Sequence, residues 1–189
     1  MRNPVFKTVL NHSKNAEADF ESVFKIYKDA TAADERIAAL GCLGATNDFA
    51  IVDRILNKIT LDTETVKLQD CMYPVSSLAR QCPQKSKVLA ILWTWMITNW
   101  PLLHKNLSPS LSLLGRIVQA VVAYNIGEDF ALKVEAWAKG DELSDEKAKA
   151  TRAKEIKDVK RPLDQSLEAL RGNTKWYERE HAAVSAWLN

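Results

Sequence analysis

The residue types that most often carry enzyme chemistry are scattered through this sequence rather than grouped. The three histidines, His12, His104 and His181, are far apart, and none belongs to an HExxH pair, which would hold zinc on one helix face. The sequence also lacks a GxSxG nucleophile elbow, a GxxxxGK(S/T) phosphate loop and a GxGxxG dinucleotide loop. It therefore predicts that this chain alone builds no catalytic centre and is not an enzyme on its own.

One short segment, Gly41-Cys42-Leu43-Gly44, superficially suggests a nucleophile in a tight turn. We interpret it instead as a contact between helices, because glycines near a helix end allow close approach of the backbone. The tryptophans recur at helical spacing with Leu and Val, which predicts that most of them lie in the core rather than in a stacking platform. They are Trp93, Trp95, Trp100, Trp137, Trp176 and Trp187.

Composition and charge exclude several classes of protein. The chain has 189 residues with only six Gly and six Pro, which favours helices over a many-turned β-sandwich. Its net charge of +2 gives no basic surface of the kind that nucleic acids require, so we expect no nucleic-acid partner. The longest apolar runs, such as 88–97, are about ten residues, whereas a membrane span needs about 20, so we expect no membrane association.

Cysteine usage predicts a reducing, cytoplasmic location. The three cysteines, Cys42, Cys71 and Cys82, are odd in number and form no CxxC motif. If Cys71 and Cys82 share a helix, they are about 16 Å apart, which is too far for a disulfide. No apolar signal-peptide region follows the first residues, which agrees with this expectation.

Apolar residues recur with the 3.6-residue period of an α-helix along almost the whole chain. Clear stripes are Phe20, Val23, Phe24 and Tyr27, then Val52, Ile55, Leu56 and Ile59, then Leu89, Leu92, Trp93, Met96 and Trp100. Near the end, Ser144 starts a long polar helix that Gly172 is expected to stop, with a kink expected at Pro162. The expected inner stripe of this helix is Ile156, Val159, Leu163, Leu167 and Leu170. Its Lys-rich part, 147–161, is expected to be exposed, and a last helix is expected over about 174–188.

This pattern predicts an all-α fold of about ten helices with short links and no strand. Helix pairs recur every 30–45 residues or so, which is the length of the repeats in helical solenoids. Because the repeats share no consensus residues, we expect an irregular α-solenoid of paired antiparallel helices, like a HEAT or armadillo superhelix. No linker is long enough to divide the chain, so residues 1–189 are expected to form a single domain.

Three parts of the chain carry a resemblance to a known family. They are AALGCLGATND at 38–48 with TVKLQD at 65–70, SLAR at 77–80 with LWTWMITNW at 92–100, and NTKWY at 173–177 with VSAWL at 184–188. In this order and spacing they resemble the C-terminal helical domain of zinc aminopeptidases of the aminopeptidase N and puromycin-sensitive aminopeptidase family. Fungal cytosolic members look most similar. The resemblance runs over about residues 2–188 and matches the second half of that domain.

The resemblance implies a superhelix of paired helices that forms a bowl over a catalytic domain, limits access to its zinc site and contacts longer substrates. In the family, the zinc ligands and the motif for the free amine lie upstream, so no cofactor is implied for this chain and zinc is expected only in the absent catalytic domain. The implied partners are the catalytic domain of a parent aminopeptidase and a peptide substrate.

Two arginines are nominated by the resemblance as contacts for peptide substrates. Arg80 matches a basic residue that many relatives carry at the end of this helix, where it would pair with a peptide carboxylate. The alternative is a solvated arginine that complements the helix dipole. Arg116, in Leu114-Gly115-Arg116-Ile117-Val118, has a counterpart in some relatives only, and a solvated side chain is the alternative there too.

A second interpretation is a free-standing α-solenoid scaffold that binds a peptide or a partner helix on a concave face. It predicts polar terminal helices, whereas half of a larger domain predicts an exposed apolar end. The apolar residues of the first segment, Val5, Phe6, Val9 and Leu10, favour a missing neighbour. An isolated fragment can hide such an end by forming a homodimer.

Overall fold

The computed structural model describes residues 2–62 and 64–188, and every regular element within these residues is helical. The all-α prediction is therefore confirmed. The first seven α-helices are α1 (Arg2–Asn11), α2 (Ala16–Asp29), α3 (Ala33–Leu40), α4 (Phe49–Arg54), α5 (Met72–Gln81), α6 (Lys85–Thr98) and α7 (Trp100–Leu107). They are followed by α8 (Leu111–Val122), α9 (Glu128–Lys139) and α10 (Glu146–Leu188). A π-helix (Ile55–Thr60) and two 3-10 turns (Leu68–Asp70, Ser108–Ser110) complete the set.

The chain divides into two compact units, the first ending at Leu103 and the second beginning at His104. In the first unit, α1 packs on α2, α2 on α3, α3 on α5, and α5 on α6. In the second unit, α8 and α9 both pack along α10. Packing between helices of one unit matches the expected paired arrangement, while the single domain over 1–189 and its solenoid form stay predictions.

The predicted apolar stripes form the core of the first unit. Phe20, Val23, Phe24 and Tyr27 are all buried on α2, and Asn15 caps this helix by accepting a hydrogen bond from the Ala18 N–H at 3.3 Å. Four of the six tryptophans are buried, at 93, 95, 100 and 137, so the prediction that most of them lie in the core is confirmed.

The stripe at Val52, Ile55, Leu56 and Ile59 is buried as predicted, but its backbone differs from the expected α-helix. From Ile55 to Thr60 the helix widens to a π-helix, and the Thr60 hydroxyl donates to the Ile55 carbonyl at 2.8 Å. This hydrogen bond spans five residues, which fits the wider turn. Apolar spacing does not report such a change, because the same residues face the core in both forms.

The expected break at Gly172 is wrong. α10 continues through both Pro162 and Gly172 as one helix of 43 residues. Contacts with neighbouring segments hold it beyond the glycine: the Asn173 side-chain amide donates to the Ala123 carbonyl at 2.9 Å, and the Thr174 hydroxyl accepts the Gly127 N–H at 2.8 Å. These contacts outweigh the weak helix propensity of one glycine, about 1 kcal/mol.

The Lys-rich part of α10, 147–161, is exposed or half-buried at every position except Val159, so the expected exposure is confirmed apart from that residue. Four members of the predicted inner stripe are buried within the second unit, namely Val159, Leu163, Leu167 and Leu170. The fifth, Ile156, is half-buried.

Candidate functional site

Arg80 lies in the last turn of α5 with its side chain exposed, while its neighbours along the helix are buried. Val75, Leu78 and Ala79 have no exposed surface. A cation in the last turn also complements the negative end of the helix dipole. The helix therefore holds Arg80 at a fixed position and presents its guanidinium to solvent.

The segment 41–46 fixes α5 through three hydrogen bonds. The Gly44 N–H donates to the Ser77 hydroxyl at 2.8 Å, and the Gln81 side-chain amide donates to the Gly41 carbonyl at 2.7 Å. The Cys82 thiol donates to the Thr46 carbonyl at 3.3 Å. Because these bonds lie on both sides of Arg80 in the sequence, they determine where its helix turn sits.

Gly44 makes the closest backbone contact of this packing. A Cβ atom at position 44 would lie 2.1 Å from the Leu78 nitrogen and 2.5 Å from its Cα. No side chain fits in that space without a shift of α5, so glycine is required here for close approach rather than for an unusual backbone angle.

The Gly41-Cys42-Leu43-Gly44 segment is thus a contact between helices, as interpreted from the sequence. Cys42 is buried, and burial raises the pKa of its thiol. Burial, reinforced by the Asp70 carboxylate, raises the pKa of Cys71 to about 11, and burial also raises the pKa of Cys82. None of the three cysteines forms a disulfide among the described residues, and thiols with raised pKa values are poor nucleophiles.

Arg116 is an exposed residue of α8, next to the closest approach between α8 and α10. A Cβ atom on Gly115 would lie 2.7 Å from Cγ of Pro162. Arg116 and Arg80 belong to different units, so each stands as a separate candidate, and their roles toward peptides stay predictions.

The histidines occupy unrelated places. His104 Nε2 lies 2.9 Å from an Asp158 carboxylate oxygen, and its Nδ1 lies 3.9 Å from Glu155. The His181 ring lies against the Tyr177 ring at a tilt of 39°, with the two ring centres 4.3 Å apart. Within residues 2–62 and 64–188, no group of three or more His, Cys, Asp or Glu side chains is arranged to hold a metal ion.

Sequence reasoning missed a groove in the first unit, which we call the Trp95 groove. It has a volume of about 620 Å³ and runs between α6 on one side and the end of α4 with the following π-helix on the other. Its lining includes Asp53, Leu56 and Asn57 on one side and Ile91, Thr94 and Trp95 on the other. The helical spacing of the lining residues is visible in the sequence, since 53 and 57 are four residues apart and so are 91 and 95. The sequence does not show that these two segments pack against each other.

Comparison with known proteins identifies the group to which this helical architecture belongs. The ERAP1-like C-terminal domain family matches residues 1–171. The chain belongs to this family.

Curated relatives carry aminopeptidase names. The chain is 29% identical to Aminopeptidase 2 of Candida albicans over 188 residues, and 26% identical to Aminopeptidase M1 of Arabidopsis thaliana over 179 residues. It is 24% identical to glutamyl aminopeptidase of Rattus norvegicus over 188 residues. These matches cover 94–100% of this chain but 18% of each relative, so the chain spans less than a fifth of the proteins it matches.

The resemblance inferred from the sequence is therefore confirmed: the chain corresponds to the C-terminal part of aminopeptidases.

The helices were also compared with the requirements for crossing a membrane. Among the described residues, no helix combines the length and apolar character that crossing a bilayer requires.

Proposed function

We propose that this chain is a non-catalytic C-terminal portion of a zinc-dependent aminopeptidase, which packs on the catalytic domain and walls the cavity that holds the peptide substrate. The observation that carries the proposal is the family match over residues 1–171. In the proposal, the zinc and its ligands belong to the catalytic domain, and this chain contributes only shape and charge.

Exposed apolar residues on the first and last helices support packing against a further part of an enzyme. On α1, Val5 is 59% and Val9 is 41% exposed, whereas Leu10 of the predicted apolar segment is buried. On α10, Trp187 is 83% and Leu188 is 70% exposed. A free-standing scaffold would be expected to carry polar terminal helices, because its end repeats face solvent. Exposed apolar patches instead usually mark an interaction site. A homodimer through α1 is the other way to cover the exposed apolar residues of that helix.

Arg80 is the residue that we propose for the substrate contact. An arginine guanidinium offers paired N–H donors that match a carboxylate, and here it stands exposed on a helix fixed by three hydrogen bonds. The ligand it suits is the terminal carboxylate of a peptide. Arg116 is a second, weaker candidate of the same kind.

The test is a chimera in which this chain replaces the matching 188 residues of the Candida albicans relative. The chimera and its Arg80→Gln variant are assayed with a peptide that ends in a free carboxylate and with the same peptide ending in an amide. We expect Arg80→Gln to raise KM for the free acid by about fivefold to tenfold and to leave the amide unchanged.

Arg161→Gln is the matched control, because Arg161 is an exposed arginine of α10. Arg116→Gln is measured in parallel. If the two peptides have equal KM values, both in the chimera and in its Arg80→Gln variant, the proposed contact with the carboxylate is contradicted. If the chimera folds well but is inactive, the proposed role of this chain as a wall of the substrate cavity is contradicted.

The proposed location is the cytoplasm, supported by three buried cysteines that form no disulfide among the described residues, which suits a reducing compartment. A relative from Saccharomyces cerevisiae bears the name Aminopeptidase 2, mitochondrial, which describes that protein. Imaging of the tagged full-length parent protein distinguishes the two locations.

A further inference from the structure

The Trp95 groove has an apolar floor with a polar rim. Leu56 and Trp95 are buried beneath it, and Ile91 is half-buried beside them. Its volume of about 620 Å³ falls in the usual range for sites that bind small ligands or short peptide segments, about 300–1,000 Å³. The groove is open, so a ligand would enter it without a large change in the fold.

The rim of the groove carries a negative charge. Among the described residues that line the groove, Asp53 is the charged one, and its side chain is exposed. Its Oδ1 accepts a hydrogen bond from the Asn57 amide at 2.7 Å, which uses only one of the two carboxylate oxygens. The remaining oxygen can accept from a cationic ligand group.

Trp95 supplies a second, independent observation. Its side chain is only 5% exposed, and its indole N–H has no hydrogen-bond acceptor among the described residues. A buried donor without an acceptor is destabilising by about 1–3 kcal/mol, so such donors usually find a partner. The N–H is covered from solvent, so a ligand carbonyl would accept from it only after the side chains that cover it move aside.

We propose that the Trp95 groove binds a short peptide segment that presents a lysine or arginine beside an apolar side chain. The apolar side chain would pack on Leu56 and Ile91, the cation would pair with Asp53, and a backbone carbonyl would accept from the Trp95 indole. A peptide provides these three groups in one molecule. An acidic peptide would bring a carboxylate near Asp53 and bind more weakly.

This inference does not rest on the proposed function. In the proposed function, Arg80 contacts the carboxylate of a peptide substrate. In the groove, Asp53 would instead contact a cationic side chain of a bound peptide. The tests differ in their variants and in their readouts, so failure of one leaves the other standing.

The experiment uses the isotope-labelled 189-residue chain in solution. Two probes are titrated into it, acetyl-Leu-Lys-Leu-amide and acetyl-Leu-Glu-Leu-amide, and the indole N–H signal of Trp95 is followed by NMR after triple-resonance assignment. We expect a saturable shift with the lysine peptide and binding at least about fivefold weaker with the glutamate peptide.

The variant Asp53→Asn is expected to lower the affinity for the lysine peptide by about fivefold. The control variant Asp29→Asn, at an exposed position at the end of α2, should leave this affinity unchanged. Both changes are at exposed positions, and a dispersed NMR spectrum checks that each variant is folded. The proposal is overturned if the Trp95 signal does not move at millimolar peptide, if the two peptides bind equally, or if Asp53→Asn binds like the unchanged chain.

Discussion

The segment 41–46 and the last part of α10 are held in opposite ways. Segment 41–46 lies against α5 so closely that position 44 has no room for a methyl group, and its polar groups bond to Ser77, Gln81 and Cys82. From Lys175 to Leu188, by contrast, no residue of α10 is buried. Just before this stretch, Asn173 and Thr174 still form hydrogen bonds with the segments around Ala123 and Gly127.

This difference separates two uses of apolar and small residues. In the first region they are already buried and contribute to the stability of the chain itself. In the second region the tryptophans and Leu188 remain exposed, and only a partner would bury them. Substitutions in the two regions should therefore affect different quantities, the free energy of unfolding in one and association in the other.

The largest contrast is expected between two tryptophans. Trp100 is fully buried, so Trp100→Ala should lower the free energy of unfolding by about 3–5 kcal/mol. Trp187 is 83% exposed, so Trp187→Ala should change it by less than about 0.5 kcal/mol. Urea unfolding of both variants tests this, and a large loss with Trp187→Ala would show that the end of α10 is buried in the chain.

The next largest contrast is between two glycines. Gly44→Ala places a methyl group against the α5 backbone and should destabilise the fold by about 3 kcal/mol. Gly172→Ala is the matched control, because its Cβ meets nothing within 4 Å in a helix interior, and it should stabilise by about 0.5–1 kcal/mol. Thermal unfolding decides the signs, and a neutral Gly44→Ala would contradict the close contact.

Removing one hydrogen bond of segment 41–46 should have an intermediate effect. Ser77→Ala leaves the Gly44 N–H without its acceptor in a buried site and should destabilise by about 1–2 kcal/mol. Ser22→Ala, in which an exposed hydroxyl loses a bond to the Ala18 carbonyl, is the control and should cost less than about 0.5 kcal/mol. Equal effects in chemical unfolding would contradict the role assigned to Ser77.

The smallest effect is a pH dependence in the second unit. Hydrogen bonds from Arg171 hold the pKa of Glu128 below its usual value, so the folded state binds a proton there less readily than the unfolded state. This contribution is present above the usual glutamate pKa of about 4.3 and is lost as the pH falls through the lowered folded value. The variant Glu128→Gln should therefore lose less of its free energy of unfolding between pH 7 and pH 3 than the unchanged chain does, whereas the control variant Glu146→Gln should lose as much. Unfolding experiments at a series of pH values test this.

The sequence predicted those parts of the fold that follow from local patterns. The stripes on α2 and α10 and the burial of Trp93 and Trp100 needed only the helical period. The continuation of α10 through Gly172 could not be predicted, because it depends on contacts with Ala123 and Gly127, which are distant in sequence.

The candidate sites divide in the same way. Arg80 was nominated from a resemblance, and the structure adds the three bonds that fix its helix. The Trp95 groove was missed because the residues on its two sides are more than 30 positions apart, and because apolar spacing does not predict the π-helix that forms one side.

The most direct test of the central claim compares three samples in the presence of zinc. They are this chain alone, the Candida albicans relative lacking the matching 188 residues, and their mixture, each assayed for release of p-nitroaniline from leucine p-nitroanilide. We predict no turnover by the chain alone and restored turnover in the mixture. Turnover by the chain alone, or a mixture with neither complex formation nor restored activity, would contradict the account.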